Sequence, residues 1–500
     1  MRVSAVAGLG LSVLCAAASA SAETAESRRH IQCIEDAILN GVLIEGGAAN
    51  AAPLTERMKA LHVPGLSVAF THDGAIEWAR GYGVTRTGGP AVTPDTLFQA
   101  GSISKVVSAA AALHLAQMGK VDLDADVNSY LRGWSVPKNA FTAQRPVTLR
   151  ELVSHTAGTN VHSFDGYEPG KPVPSLVQVL DGLPPANNEP IRVIETPGTV
   201  WRYSGGGYVI AQKLMEDVTG EPFARFARET VFAPLGMDRS FYEQVLPYGR
   251  LDDAAWPYDG DGSPVPQGVH VYPEMTAAGL WSTATDLARF LIGIQNALAG
   301  KSDAVLDARM ASAMVKHGGV GNFGLGLHLS QGTDHPYFDA GGANFGFRAY
   351  MLAYDSGDGI AFMSNGDNGQ DLELEILRTV AHEYGWPDFQ PPTVKRASVG
   401  AKTMDEMSGY YERTADTVFH VFRDGNRLFG QSTGNPKFEL VPVSGSDWYR
   451  IETAAKLTFV RDGSGRVARV EISQGGQDVV EKRLDDGKAH AVESRFRAHN

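Results

Sequence analysis

Cysteine is almost missing from this chain: among 500 residues only Cys15 and Cys33 carry a thiol. Once the first 22 residues are removed, as argued below, Cys33 stands alone and an internal disulfide is excluded even in an oxidising compartment. Basic clusters are missing too. The 44 Lys and Arg are outnumbered by 57 Asp and Glu, giving a formal charge of -13, and no Lys/Arg-rich run occurs, which argues against a nucleic-acid partner. Beyond the N-terminus no apolar run approaches the roughly 20 residues that span a bilayer, so no transmembrane anchor is expected in the mature chain. The 14 histidines include no His-Glu-x-x-His, and His382-Glu383 lacks a second ligand four residues on. No Gly-rich phosphate loop precedes a Lys-Ser/Thr pair, so neither a metal nor a cofactor is expected.

What is present begins with Arg2, an apolar stretch from Ala5 to Ala18 broken only by Ser12, and the triplet Ala20-Ser21-Ala22. This reads as a signal peptide over 1–22, exporting the protein to the periplasm or beyond the cell. The remainder, with 43% hydrophobic and 20% charged residues, suits two or three packed domains. Gly65 to Phe70, His72-Asp73-Gly74 and Ala75 to Ala79 predict two strands around a tight turn. Ser102 to Met118 predicts a helix buried on most sides. Helical patterns at Tyr208 to Val218 and Thr283 to Ala299 mark a helical lobe. Strands are predicted at Phe323 to Ser330, Phe345 to Tyr354 and Ile360 to Ser364, and an amphipathic helix from Leu372 to Tyr384. The expected organisation is a hydrolase-sized domain over 30–388, a Pro-rich linker over 389–402 and a small all-β domain over 403–487.

Chemistry concentrates in a few segments. Ser102 and Lys105 form Ser-x-x-Lys at the start of the apolar helix, where positions i and i+3 share a face and an amine can activate the hydroxyl. Gly101 before it places the serine at the positive helix end, although an ordinary N-cap serine fits the same residues. A second copy, Ser135 to Lys138, contains Pro137 and reads as loop. Tyr203 precedes the run Gly205-Gly206-Gly207, and near an ammonium its hydroxyl can serve as a base. Asp339-Ala340-Gly341-Gly342-Ala343 opens a candidate strand whose glycines can admit a substrate and leave an amide free for an oxyanion. Gly430-Gln431-Ser432-Thr433-Gly434 matches a nucleophile elbow in letters, but no helix pattern follows it.

Taken in order, these segments resemble the superfamily of serine β-lactamases, penicillin-binding proteins and class C-like carboxylesterases over about residues 50 to 385. The similarity is carried by Phe98 to Lys105, Glu151 to Gly158, Pro197-Gly198 leading to Tyr203-Ser204-Gly205-Gly206-Gly207-Tyr208, and Ala278 to Thr283. It implies an α/β fold: an antiparallel sheet flanked by helices, with a helical lobe beside it and a cleft between. It also implies that Ser102 is acylated, that Lys105 and Tyr203 exchange its proton, and that the backbone amides of Ser102 and Ala343 form the oxyanion hole. Two positions depart from the family's pattern. Gly205 stands where many members have Asn, and Ala340, or Asp339 one residue earlier, stands where the third motif begins with Lys or His. Gly205, Ala340, Gly341, Gly342 and Arg348 are the candidate substrate-binding residues, Arg348 as a cation that reaches back across a hairpin. The tail from about 403 to 487 resembles a lipocalin-like barrel.

The expected activity is cofactor-free hydrolysis of a small-molecule ester, amide or peptide through an acyl-enzyme. The alternative is a weakened penicillin-binding-type protein that holds ligands in the same cleft. The residues do not set the oligomeric state.

Overall fold

The computed structural model describes residues 23–47, 51–244, 250–318, 320–330, 333–414, 417–435, 437–474, 477–485 and 487–489. The expected signal peptide lies outside them. Strands β1 (Gly65–His72) and β2 (Ala75–Gly83) form the expected hairpin. Asp73 and Gly74 turn it with φ of +50° and +73°, a conformation that Asp-Gly tolerates. β3 (His328–Leu329), β4 (Tyr337–Asn344), β5 (Phe347–Tyr354) and β6 (Gly359–Ser364) complete a six-stranded sheet in the order β2-β1-β6-β5-β4-β3. Every neighbouring pair is antiparallel. β1 is buried at all but its last residue, as a strand with a partner on each side and a layer on each face must be.

The helices that position the site are α1 (Ala25–Asp36), α2 (Ile103–Gln117), α3 (Leu149–Val153), α4 (Gly205–Thr219), α5 (Met275–Ala278), α6 (Ala284–Leu298) and α7 (Gly369–Glu383). Strand alternation sends Val68, Phe70, Leu352 and Phe362 to one face, against Leu372, Ile376 and Val380 of α7. Their neighbours Ala69, Met351, Ala361 and Met363 join the larger core that contains α2, α4 and α6. In α2 twelve of fifteen residues are buried, because its Ala, Val and Leu run leaves no polar face to turn outward.

The strand expected over Phe323 to Ser330 is much shorter: only His328 and Leu329 pair with β4. Leu325 N–H instead donates to Met314 O (2.9 Å), Gly324 N–H turns onto Leu327 O (2.9 Å), and Gly326 adopts φ +101°, so the segment serves the helical lobe before it meets the sheet.

The tail forms a closed antiparallel barrel of β7 (Gly409–Glu412), β8 (Val418–Asp424), β9 (Arg427–Ser432), β10 (Phe438–Pro442), β11 (Asp447–Arg450), β12 (Ala455–Arg461), β13 (Val467–Gln474) and β14 (Gln477–Leu484). β14 closes onto β7 through Tyr410–Leu484 and Tyr411–Arg483, around a core that includes Tyr411, Phe419, Trp448 and Phe459. Ser432 lies on β9 and accepts from Arg413, which removes it as an elbow nucleophile. The 389–402 segment is more engaged than a free linker. Thr393–Val394 pair in parallel with Leu43–Ile44, and Ala397 N–H donates to Pro442 O (2.8 Å). Val42 N–H donates to Ile451 O (2.9 Å), and Arg378 of α7 donates to Glu452 O (3.1 Å). Cys33 is exposed on α1. Among the described residues no helix is long and apolar enough to cross a membrane.

Candidate active site

Ser102 occupies the N-cap position of α2, yet its hydroxyl caps nothing. Its Oγ instead accepts from Lys105 Nζ at 3.1 Å, which favours the chemical reading of Ser-x-x-Lys over the capping one. Lys105 is 4% exposed and also donates to Ala277 O at 2.7 Å, so its amine is held at a fixed point between α2 and α5. Ser104 locks the same junction: its Oγ donates to Gly101 O (2.5 Å) and accepts from Leu280 N–H (2.9 Å). Within the Ala278 to Thr283 segment, Leu280 meets this junction through its backbone, its N–H on Ser104 Oγ and its carbonyl accepting from Ala100 N–H (2.8 Å). The Ala277 carbonyl just before that segment was not legible in the sequence, since any residue type supplies one.

Tyr203 stands just before α4, whose N-cap Ser204 accepts from Gly207 N–H (3.2 Å) and donates to Val161 O (2.8 Å). The Tyr203 ring centroid lies 5.0 Å from Lys105 Nζ. On the ring's other contacts sit His155 (4.4 Å between centroids) and His162 (4.9 Å). Burial, reinforced by the nearby Lys105 charge, pushes the His155 imidazole well below its ordinary range, so it is neutral.

β4 passes directly across the start of α2. A Cβ on Gly342 would lie 2.0 Å from Ala100 O and 3.1 Å from Ser102 N, and one on Gly101, at φ +50°, 2.5 Å from Ala343 N; only glycine permits the approach. Phe345-Gly346 is a two-residue turn, so the closing pair Asn344–Phe347 exchanges hydrogen bonds. The next pair, Ala343–Arg348, turns its amides away from the partner strand. The Ala343 N–H thus points off the sheet beside the Ser102 amide, the arrangement an oxyanion requires. Asn344 fixes this end of β4 by donating to Gln99 Oε1 (2.9 Å) and Ala278 O (3.1 Å).

Two of the candidate binding residues, Arg348 and Gly205, stand differently from expectation, as does Asp339, the alternative start of the third motif. Arg348 does not reach back to the cleft. It lies on the α7 face of the sheet, donates to Asn344 O and Phe347 O, and pairs with Asp367 at 3.0 Å, because alternation along β5 sends it with Tyr350 and Leu352. Asp339 is likewise on that face, paired with His328 at 3.0 Å, whose imidazole is thereby raised above its usual range. Gly205 opens no subsite: a Cβ there would meet the Phe164 ring at 2.9 Å, so Phe164 fills the room of the absent side chain. Ala340 faces α2 and is buried in the main core, while Gly341 is exposed.

Two aromatic rings are exposed nearby in sequence: Trp201 (37%), 6.4 Å from the Tyr203 ring, and Phe345 (44%), 4.7 Å from the His270 ring. Glu274, at the N-cap of α5, is wholly buried; desolvation pushes its carboxyl up to about 8. A cavity of about 510 Å³ lies elsewhere, lined by Arg145, Glu151, Thr156 and Lys316, and includes none of Ser102, Lys105 and Tyr203. Among the described residues no cluster of three His, Cys, Asp or Glu side chains could hold a metal.

The family model described as Beta-lactamase matches residues 51–383. Penicillin-binding protein 4 of Amycolatopsis lactamdurans is 28% identical over 384 residues, covering 72% of this chain and 96% of that protein. Among solved structures, the octameric penicillin-binding protein homologue from Pyrococcus abyssi superposes with a TM-score of 0.59 at 20% identity, covering 85% of this chain and 98% of its own. The D-amino acid amidase from Ochrobactrum anthropi SV3 gives 0.55 at 21% identity, covering 72% and 98%. At these identities both structures speak to the fold alone.

Proposed function

This chain belongs to the beta-lactamase family of serine hydrolases, and we propose that it cleaves a neutral ester or amide through an acyl-enzyme on Ser102. The observation that carries the reading is the 3.1 Å contact between Ser102 Oγ and a buried Lys105 that is anchored on Ala277 O. Once the Lys105 ammonium has given up a proton, its lone pair can accept the Ser102 proton while an N–H still donates to Ala277 O. Ser102 Oγ attacks the carbonyl carbon while its proton passes to the Lys105 and Tyr203 pair. The carbonyl electron pair moves onto oxygen, between the amides of Ser102 and Ala343. Collapse of this intermediate breaks the bond to the leaving group, which takes the proton. Water then attacks the acyl carbon by the same route in reverse and frees Ser102.

Substrate preference follows from Ala340 and Arg348. With no cation at 340 and Arg348 spent on Asp367, a substrate carboxylate gains no charge-assisted bond there, a difference of roughly 1.5 to 3 kcal/mol. Neutral esters and amides, including amides of D-amino acids, are therefore preferred over carboxylate-bearing β-lactams. We further propose export through a signal peptide over 1–22 to the periplasm or beyond, a hydrolase domain over 30–388 and a β domain over 403–487. A fluorophosphonate should label Ser102, located by peptide mass spectrometry, and kcat/KM for a p-nitrophenyl ester should exceed that for a chromogenic cephalosporin. An ordered protein that is never labelled would instead be a binding protein.

A further inference from the structure

His155 is held by more constraints than its neighbours. It is 2% exposed and has φ +63°, a left-handed conformation that a non-glycine residue keeps only where its surroundings fix it. Its Nδ1 accepts from Ser204 N–H at 3.1 Å, which leaves the ring proton on Nε2. Aromatic rings enclose it: Tyr203 at 4.4 Å, Tyr208 and Phe323 at 5.3 Å, and Trp201 at 6.1 Å. The titratable groups that face it are Lys105 from α2, Tyr208 from α4, and Tyr203 and His162 from the intervening loops. Burial and the Lys105 charge both disfavour a second cation there, so the ring meets Tyr203 in its neutral form.

We propose that His155 is a positioning residue for acylation, fixing the Tyr203 ring beside Lys105 with its own ring face and fixing the turn into α4 through Ser204. The inference rests on the reading of Ser102 as the nucleophile. Tyr203 sits in a loop, and no hydrogen bond to Ser102 or Lys105 pins it; its place near the ammonium is set by the rings it leans on. Misplacing a reacting group by about 1 Å costs on the order of 100-fold in rate.

Two variants separate the parts of this role. Asn at 155 tolerates the left-handed backbone and keeps an acceptor near Ser204, but has no ring; Phe keeps the ring without the acceptor. In H155N, folding checked by circular dichroism, fluorophosphonate labelling of Ser102 should slow about 100-fold. For a p-nitrophenyl ester, kcat normalised to labelled sites should fall with KM within about threefold, and the pH profile of kcat should move because Tyr203 no longer leans toward Lys105. A purely structural loss lowers the fraction of active protein and leaves normalised kcat and its pH profile in place, which would overturn the proposal; so would wild-type labelling rates in H155N. Should H155N not fold, H155G, which also lacks the ring and takes the left-handed backbone without strain, carries the same test and the same two outcomes; H155F, with its ring kept, should lose less normalised kcat than H155N, and an equal loss would overturn the ring's part. No labelling of the wild type overturns the Ser102 reading itself, and this inference with it; a labelled wild type beside an equally fast folded variant overturns this inference alone.

Discussion

At residue scale, the proposed mechanism puts Ser102, Lys105 and Tyr203 on one proton path. Ser102→Ala should lower kcat at least about 10³-fold with little change in melting temperature, and Lys105→Ala combined with Tyr203→Phe should cost hardly more than the worse single change. Additive losses in kcat would refute the shared path. Gly205→Asn, the change toward the family's residue, should destabilise by about 1 to 3 kcal/mol because its Cβ meets Phe164 at 2.9 Å; Phe164→Ala in the same chain should recover part of that loss in urea denaturation. Glu274 gives a pH signature. Folded, its carboxyl keeps its proton up to about 8, while the ordinary value is 4.5. Its favourable contribution is therefore complete below about 4.5 and lost as the pH rises through 8. Relative to wild type, Glu274→Gln should gain stability progressively between pH 5 and 8, by roughly 1 kcal/mol per unit, with no further gain above. A constant difference across that range would show that the carboxyl does not titrate with folding. Ser102 and Lys105 could be singled out because their pattern is a short local spacing, and Tyr203 because its segment resembles the family's tyrosine motif. Ala277, His155 and Phe164 could not, since their roles arise from segments brought together only by the fold.

At the scale of elements, the β4–β5 hairpin and the start of α2 form one device, with Gly342 and Gly101 as the points of contact. Gly342→Ala must push β4 away from Ala100 O, 2.0 Å from the added Cβ. Turnover should fall at least about 100-fold, the scale of losing one oxyanion donor, while the melting temperature drops by only a few degrees. Unchanged kcat would remove the Ala343 amide from the mechanism. The hairpin and α2 were readable from alternation and from an apolar run too continuous for a surface helix. The strand over Phe323 to Ser330 was misjudged because its alternation is real but its amides are claimed by Met314 and by a turn at Gly326. Arg348 was misjudged for the complementary reason: nearness in sequence to β4 suggested reach, whereas strand parity sends it to the other face.

At the scale of the molecule, the barrel touches the hydrolase unit on the side of α7 and of residues 41–44, away from Ser102. A chain ending near Lys395 should keep kcat/KM within about threefold of full length. Its melting temperature should fall, since it loses the Val42–Ile451 bond and the Arg378–Glu452 bond. Loss of activity in a folded truncated protein would tie the barrel to the cleft instead. The existence of this tail was plain in its short alternating strands; its attachment was not, because a Pro-rich composition describes how a segment bends rather than what it pairs with.

The pairing of β1 with β6, Thr71 opposite Gly359, also sets an order of events. Most of the hydrolase unit lies between those two strands, so the central sheet cannot assemble until the chain has emerged past Ser364. The β1–β2 hairpin must wait with an exposed apolar edge until β6 arrives. Such long-range closure is slow and leaves that edge open to wrong partners. Refolding from denaturant should therefore recover barrel structure, whose neighbouring strands are close in sequence, before it recovers the ability of Ser102 to be labelled.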